Sequence, residues 1–191
     1  MSPQINKKRN TLKHPDQRVG VFIDVQNMYY SAKNLFGAKV NFGNIVKEAT
    51  AGRKLIRAIA YVVSTESKEE QPFFDALYNV GIETKDKPLQ IFLGGEKKAD
   101  WDVGLAVDAI RFSSSLDAIV LVSGDGDYVP LVDYLRGQGK QVEVVAFGGT
   151  TSSKLIEEAD DFIDLSQDKA KFLIADKRYS AKRPAYPPKK V

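Results

Sequence analysis

The sequence predicts an α/β fold, a three-layer α/β/α sandwich around a mainly parallel central sheet of about five strands. Three observations lead there. Short runs of Val, Ile, Leu and Phe are almost unbroken by polar residues, as in parallel strands covered on both faces. Segments of helical period alternate with those runs, the order of a parallel sheet with helical crossovers. The chain has 191 residues, 43% of them hydrophobic, enough for one sizeable core and too many for wholesale disorder.

Residues 18–24 (RVGVFID) are the first predicted strand, an apolar run ending in an acid. A helix over 28–36 follows, then a second over 42–50 with Phe42, Ile45, Val46 and Ala49 at helical spacing. Residues 55–64 (LIRAIAYVVS) form the next strand. Residues 69–80 place Phe73, Phe74, Leu77 and Val80 on one helical face. Residues 89–93 (LQIFL) are the third strand, and 101–112 a helix carrying Val103, Ala106, Val107 and Ile110. Strands at 117–123 and 141–147 flank a helix at 128–136, which Gly137 and Gly139 close. A short helix at 153–158, a short strand at 162–165 and a helical turn at 168–174 complete the reading. Right-handed crossovers put helices on both faces of such a sheet. Ligands then bind beyond the carboxyl ends of its strands.

Composition removes several chemistries. There is no cysteine, which excludes disulfides, thiolate nucleophiles and zinc–cysteine sites. The one histidine, His14, lies in a polar N-terminal stretch, so a Ser-His-Asp triad or a His-rich metal site would rest on it alone. The net charge of +3 is unevenly spread. Residues 1–17 carry +3 and residues 176–191 carry +5, which leaves −5 on residues 18–175. This divides the chain into a basic N-terminal tail (1–17), a folded domain (18–165), and a terminal helical turn with a basic tail containing Pro and Tyr (166–191). Such tails are either solvated termini or arms for a polyanion. Arg178, Tyr179 and Tyr186 are residue types that stack on unpaired bases. No apolar stretch follows the first basic residues, and no run approaches the roughly 18 apolar residues of a membrane-spanning helix. The expected location is cytoplasmic, away from membranes. The oligomeric state stays open, a homodimer included.

Acids collect where ligands bind. The first strand ends in Asp24, and the strand at 117–123 runs into Ser123-Gly124-Asp125-Gly126-Asp127. If these strands are neighbours at the switch point of the sheet, their carboxylates converge. The helix beginning at Asp100-Trp101-Asp102 aims a further acid at the same edge. Carboxylates brought together raise one another's pKa, and a hard divalent cation removes that conflict. Each acid also has a plainer role: Asp24 as a helix cap, the Gly124–Asp127 stretch as a turn and cap, Asp100 and Asp102 as first-turn acids. Asp108 is mid-helix, and Asp160, Asp161 and Asp164 read as a solvated loop and strand edge. The glycine-rich run 148–153 reads either as a phosphate cradle of backbone N–H groups or as an ordinary loop. No Walker A loop occurs, and Gly124-Asp125-Gly126 lacks the third glycine of a dinucleotide fingerprint.

Four motifs, in order and spacing, resemble those of NYN domains. Phe22-Ile23-Asp24-Val25-Gln26-Asn27 is similar to their opening F-I-D-x-x-N. Asp102-Val103-Gly104-Leu105-Ala106-Val107-Asp108 is similar to D-V-x-L-A-x-D. Ser123-Gly124-Asp125-Gly126-Asp127-Tyr128, continuing to Pro130-Leu131, is similar to S-G-D-x-D-[FY]-x-P-L. Gly139-Lys140-Gln141-Val142 matches G-K-x-V. Together they cover residues 18–165, and the nearest subgroup is the LabA-like proteins. The resemblance implies a PIN-like fold and a divalent-metal-dependent ribonuclease that uses one or two Mg²⁺ or Mn²⁺ ions. It implies Asp24, Asp102, Asp125 and Asp127 as catalytic metal ligands, and products with a 5′-phosphate and a 3′-hydroxyl. Many relatives carry K-G-x-D before the central helix; that spacing runs from Lys97 to Asp100, whereas the downstream register points to Asp102, which is favoured. Asn27, Ser123, Lys97, Lys98 and Lys154 are candidate substrate contacts, the lysines for phosphate. The implied partner is RNA, with the basic tails as added contacts. Two alternatives remain: a non-catalytic RNA- or nucleotide-binding regulator using the same site, and a haloacid-dehalogenase-type phosphohydrolase. The last expects D-x-D after the first strand, where this chain has Asp24-Val25-Gln26.

Overall fold

The structure is a computed structural model that describes residues 11–64, 70–88, 90–91, 97–98 and 100–175. The basic stretch before residue 11 and the whole run 176–191 lie outside the described residues.

Strand β1 (Arg18–Asp24) leads straight into α1 (Val25–Phe36). The helix starts earlier than its apolar period indicates because the Asp24 side chain accepts the Asn27 N–H and caps it. Gly37 ends α1 in the left-handed conformation, φ 59°. A short strand β2 (Ala38–Val40) precedes α2 (Phe42–Thr50), which Asn41 caps. Then come β3 (Lys54–Ser64), α3 (Glu70–Asn79), β4 (Glu83–Pro88) and the small strands β5 (Gln90–Ile91) and β6 (Lys97–Lys98). Helix α4 (Asp102–Ser113) leads to β7 (Ala118–Val122). A 3-10 turn at Gly126–Tyr128 enters α5 (Val129–Gly137), whose first turn holds Pro130. β8 (Gln141–Ala146), α6 (Ser153–Glu158), β9 (Asp161–Asp164), α7 (Lys169–Phe172) and β10 (Leu173–Ala175) follow.

The central sheet has six strands in the order β4-β3-β1-β7-β8-β9, and every neighbouring pair is parallel. The chain therefore builds outward from β1 on one side, then returns to build from β7 on the other. The crevice between β1 and β7 is the switch point, as the acid-tipped strands suggested.

The sheet is sandwiched. Val19, Val21 and Ile23 of β1 share one core with Met28 and Ala32 of α1, Ile45 and Ala49 of α2, and Leu77 of α3. Phe22 points the other way and joins Leu105 and Ala109 of α4, Val132 and Leu135 of α5, and Leu155 of α6. The period-2 alternation of a strand, apolar at every position, is what serves two cores at once.

Two expectations are corrected. The strand placed at 89–93 is not the sheet strand; that position belongs to β4, with sequence ETKDKP. As an edge strand with mostly exposed side chains, β4 has no apolar run to betray it. Gln90 and Ile91 pair instead with β6 in a small antiparallel ladder, and Leu89, Phe92 and Leu93 lie outside the described residues. The helical turn expected over 168–174 ends at Phe172; Leu173–Ala175 pairs antiparallel with β2.

At the amino-terminal ends of the strands lies a buried ion pair. Arg53 donates from both terminal nitrogens to Glu143, at 2.5 and 3.0 Å, and both side chains are fully shielded from solvent. The carboxylate also accepts from Gln141 Nε2 at 2.7 Å and sits 3.2 Å from Lys13 Nζ. Lys13 reaches Asp161 as well, and Thr11 donates to the Asp160 carbonyl. These contacts tie residues 11–17 across the base of the sheet.

Candidate functional site

Asp24 closes β1 and is 9% exposed. One of its oxygens caps α1; the other accepts from the Ser123 hydroxyl at 3.2 Å. Ser123 follows β7 and is fully buried, and its hydroxyl also accepts the Asp125 N–H at 3.2 Å. Asn27, one turn into α1, accepts the Gly124 N–H on its side-chain oxygen at 2.9 Å. The ends of β1 and β7 are thus laced together by side chains rather than by backbone alone.

The loop after β7 lies close against the one after β8. A Cβ on Gly124 would stand 3.0 Å from Thr151 Oγ1 and 3.1 Å from the Thr150 carbonyl, so a larger residue would push the loops apart. Beyond it the Asp125 carboxylate accepts the Asp127 N–H at 3.0 Å and opens the 3-10 turn. Tyr128, at the end of that turn, donates its hydroxyl to Asp102 at 2.9 Å. This bond brings the first turn of α4 to the same edge.

The result is a cluster. Carboxylate oxygens of Asp102, Asp125 and Asp127 all lie within 4.8 Å of one another. Asp24 sits beside them on the floor of a 390 Å³ cleft also lined by Asp100, Asp102 and Asp125. Asp100 belongs to the cleft wall but not to the group of three. Burial pushes the Asp24 pKa up to about 6, and the nearby charges of Asp102 and Asp125 add to the rise against the opposing bonds from Asn27 and Ser123. Burial also raises Asp102, aided by Asp125, Asp100 and Asp127 and opposed by Tyr128. The Tyr128 phenol is driven well above its usual range by burial and by the surrounding acids, so it stays a donor.

Such a set fits a hard divalent cation. Its donors are all oxygen, it is anionic, and its members destabilise one another's charge in the cation's absence. Asp102, Asp125 and Asp127 could hold the ion directly, with Asp24 alongside.

Other expected residues fall elsewhere. Lys154 is exposed on α6, whose entry packs against the 3-10 turn through Ser152. Lys97 and Lys98 form β6, and their side chains lie outside the described residues. Asp108 turns away: its carboxylate accepts from Tyr61 Oη and from Lys85 Nζ, which together outweigh burial and lower its pKa. Asp160, Asp161 and Asp164 are not a solvated edge. Asp160 accepts from Arg136 and the Val142 N–H, Asp161 pairs with Lys13, and Asp164 accepts from the Gly148 and Ser166 N–H groups. The 148–153 run is no phosphate cradle either, since the N–H groups of Gly148, Thr150, Thr151 and Ser152 bond within the protein. Some site residues escaped the sequence reading. Trp101 donates its indole N–H to the Val62 carbonyl at 2.8 Å and packs edge-on against Tyr61, 5.5 Å between centroids. Tyr30, Asn34 and Thr150 complete the cleft. Tyr128 stands in the sequence as a motif position at the start of a helix, and its hydroxyl sets Asp102.

The profile of the NYN domain matches residues 18–166. The chain belongs to the NYN domain family. Low amplitude and bright protein LabA of Synechococcus elongatus is 27% identical over 158 residues, 78% of this chain and 84% of that protein. A crystal structure of a protein of unknown function from Vibrio parahaemolyticus superposes with a TM-score of 0.77 at 30% identity. That match covers 86% of this chain and all of the other. The three-layer, PIN-like architecture and the LabA-like affinity are both supported by these matches. Of the motif acids, Asp24, Asp102, Asp125 and Asp127 meet at the β1–β7 crevice, whereas Asp108 does not.

Proposed function

We propose that this NYN domain is a divalent-metal-dependent ribonuclease, hydrolysing RNA phosphodiester bonds at the β1–β7 crevice. The observation that carries this reading is the approach of Asp102, Asp125 and Asp127 to within 4.8 Å beside a buried Asp24 of raised pKa. When bound, one or two Mg²⁺ or Mn²⁺ ions supply charge neutralisation at the phosphate and activation of water. The protein's own residues do the rest. Tyr128 holds Asp102 in place, and Ser123 and Asn27 lock the ends of β1 and β7 so that the acids stay aimed at one point. The dry backing of Asp24 strengthens every charge–charge interaction there.

The phosphohydrolase alternative expects D-x-D after the first strand, and β1 runs into Asp24-Val25-Gln26. The test is Asp125→Asn in an RNA-cleavage assay with Mn²⁺. The expected result is loss of cleavage with the fold intact by circular dichroism. Undiminished cleavage by the purified variant would sink the assignment. Metal-dependent RNA binding by the wild type with no cleavage across Mg²⁺, Mn²⁺ and Co²⁺ would favour a binding role instead.

A further inference from the structure

The cleft beside the acids has two unlike walls. One is anionic, made by Asp24, Asp100, Asp102 and Asp125. The other comes from α1, and its side chains are neutral: Gln26, Asn27, Tyr30, Ser31 and Asn34, with Thr150 beside them. Among the described residues, no lysine or arginine lines this cleft. A wall built for phosphate needs cations or unpaired N–H groups. Amides and an aromatic face suit the other part of a nucleotide, since amides pair with base edges and aromatic rings stack on base faces.

The spacing is regular. Gln26, Tyr30 and Asn34 recur every four residues and so form one stripe along α1. The Tyr30 ring is half exposed and is buttressed edge-on by Tyr29, 5.4 Å between centroids. The helix beneath it is pinned at three points. Asp24 caps it, the Asn27 side chain accepts the Gly124 N–H, and Thr150 Oγ1 donates to Ser31 Oγ at 2.9 Å. The aromatic platform is therefore held at a fixed offset from the carboxylates. A cleft of 390 Å³ is at the small end of ligand pockets, which run roughly 300–1,000 Å³, with room for one base and its sugar. On the far side of Asp100-Trp101-Asp102 a second depression contains Lys87. A strand crossing the acids would thus pass from the neutral α1 wall to Lys87, whose Nζ donates to the Asp100 carbonyl at 3.3 Å.

We propose that the α1 wall is a nucleobase subsite, in which Tyr30 stacks on one unpaired base while Asn34 and Gln26 address its polar edge. This rests on the reading of the neighbouring acids as an RNA-processing site. The experiment uses the full chain with single-stranded oligoribonucleotides carrying 2-aminopurine at successive positions, with Ca²⁺ in place of Mn²⁺. Wild type and Tyr30→Phe should quench the fluorophore at one position. Tyr30→Ala should lose that quenching and bind the oligonucleotide roughly 5- to 150-fold more weakly, the worth of one base–aromatic stack. Its Mn²⁺ affinity by calorimetry should be unchanged. Asn34→Ala should alter the preference among the four bases at the quenched position. Equal binding and quenching by Tyr30→Ala and wild type would overturn the subsite, even if cleavage is present and the nuclease reading stands. Position-specific quenching by a wild type that never cleaves would uphold the subsite while removing the nuclease reading.

Discussion

Asp24 offers a perturbation whose sign separates function from stability. An ordinary aspartate titrates near 3.8, and burial with adjacent acids lifts Asp24 to about 6. At 1.36 kcal/mol per pKa unit, holding this carboxylate ionised costs the metal-free fold about 3 kcal/mol. The pH window follows from the direction of the shift. Well below pH 4 the group is neutral in both folded and unfolded chains, so nothing is lost. Between pH 4 and 6 the unfolded chain sheds its proton first, and stability falls as pH rises; above 6 the full cost persists. Asp24→Asn removes the charge and keeps the helix cap, because Asn is an equally good capping residue. In EDTA at pH 8 the variant should therefore melt higher than wild type, by about 6–12 °C at roughly 2–4 °C per kcal/mol for a chain of this size. At pH 4 the gap should shrink to a small fraction of that. Adding Mn²⁺ should reverse the order, since wild type gains ligand stabilisation and the variant loses part of the anionic site. Thermal melts followed by circular dichroism at the two pH values, with and without Mn²⁺, decide it. A variant no more stable than wild type at pH 8 in chelator would refute the reasoning, as would a gain of equal size at pH 4.

Two other substitutions probe different layers of the molecule. Glu143→Gln leaves the fully buried Arg53 guanidinium without its countercharge and should cost about 3–5 kcal/mol, read as a lowered urea midpoint; a midpoint within error of wild type would show the pair to be dispensable. Tyr128→Phe deletes the hydroxyl that donates to Asp102 at 2.9 Å, a bond to an ionised acceptor worth about 1.5–3 kcal/mol. It should slow cleavage while RNA affinity measured in Ca²⁺ stays level, and a pure affinity defect would argue against a positioning role.

The parts of the fold that were legible in the sequence are those where burial writes a pattern. Strands β1, β3, β7 and β8 are covered on both faces, so their apolar runs stand out at nearly the observed bounds. β4 escaped because an edge strand, hydrogen-bonded on one side and exposed on most of its surface, is free to be ETKDKP. The β2–β10 ladder escaped because each strand has three residues, too few for any period to register. At the site, the acids were visible because strand ends in a parallel sheet point at one crevice. The α1 wall was not, since Gln26, Tyr30 and Asn34 are unremarkable types for an exposed helical stripe. Only the placement of α1 beside the carboxylates gives them meaning. Asp24 shows how a plain role and a site role coincide: its first oxygen caps α1, and that cap is what holds the carboxylate at the crevice.

The uneven charge of the chain also changes meaning in three dimensions. The N-terminal basic segment looks like an arm for RNA when only its charge is counted. Yet Lys13 is committed to Glu143 and Asp161, and Lys54 Nζ binds Asp16 at 2.7 Å. Residues 11–17 are fastened at the amino-terminal ends of the strands, whereas the carboxylates sit at the carboxyl-terminal ends. The seven residues of β1 separate these edges by about 23 Å at 3.3 Å per residue. Lys13 is therefore part of the domain's own closure, at the edge opposite the acids. Lys13→Ala should then lower the urea midpoint yet leave the affinity for a two- or three-nucleotide RNA unchanged, because so short a ligand in the crevice cannot reach the base of the sheet.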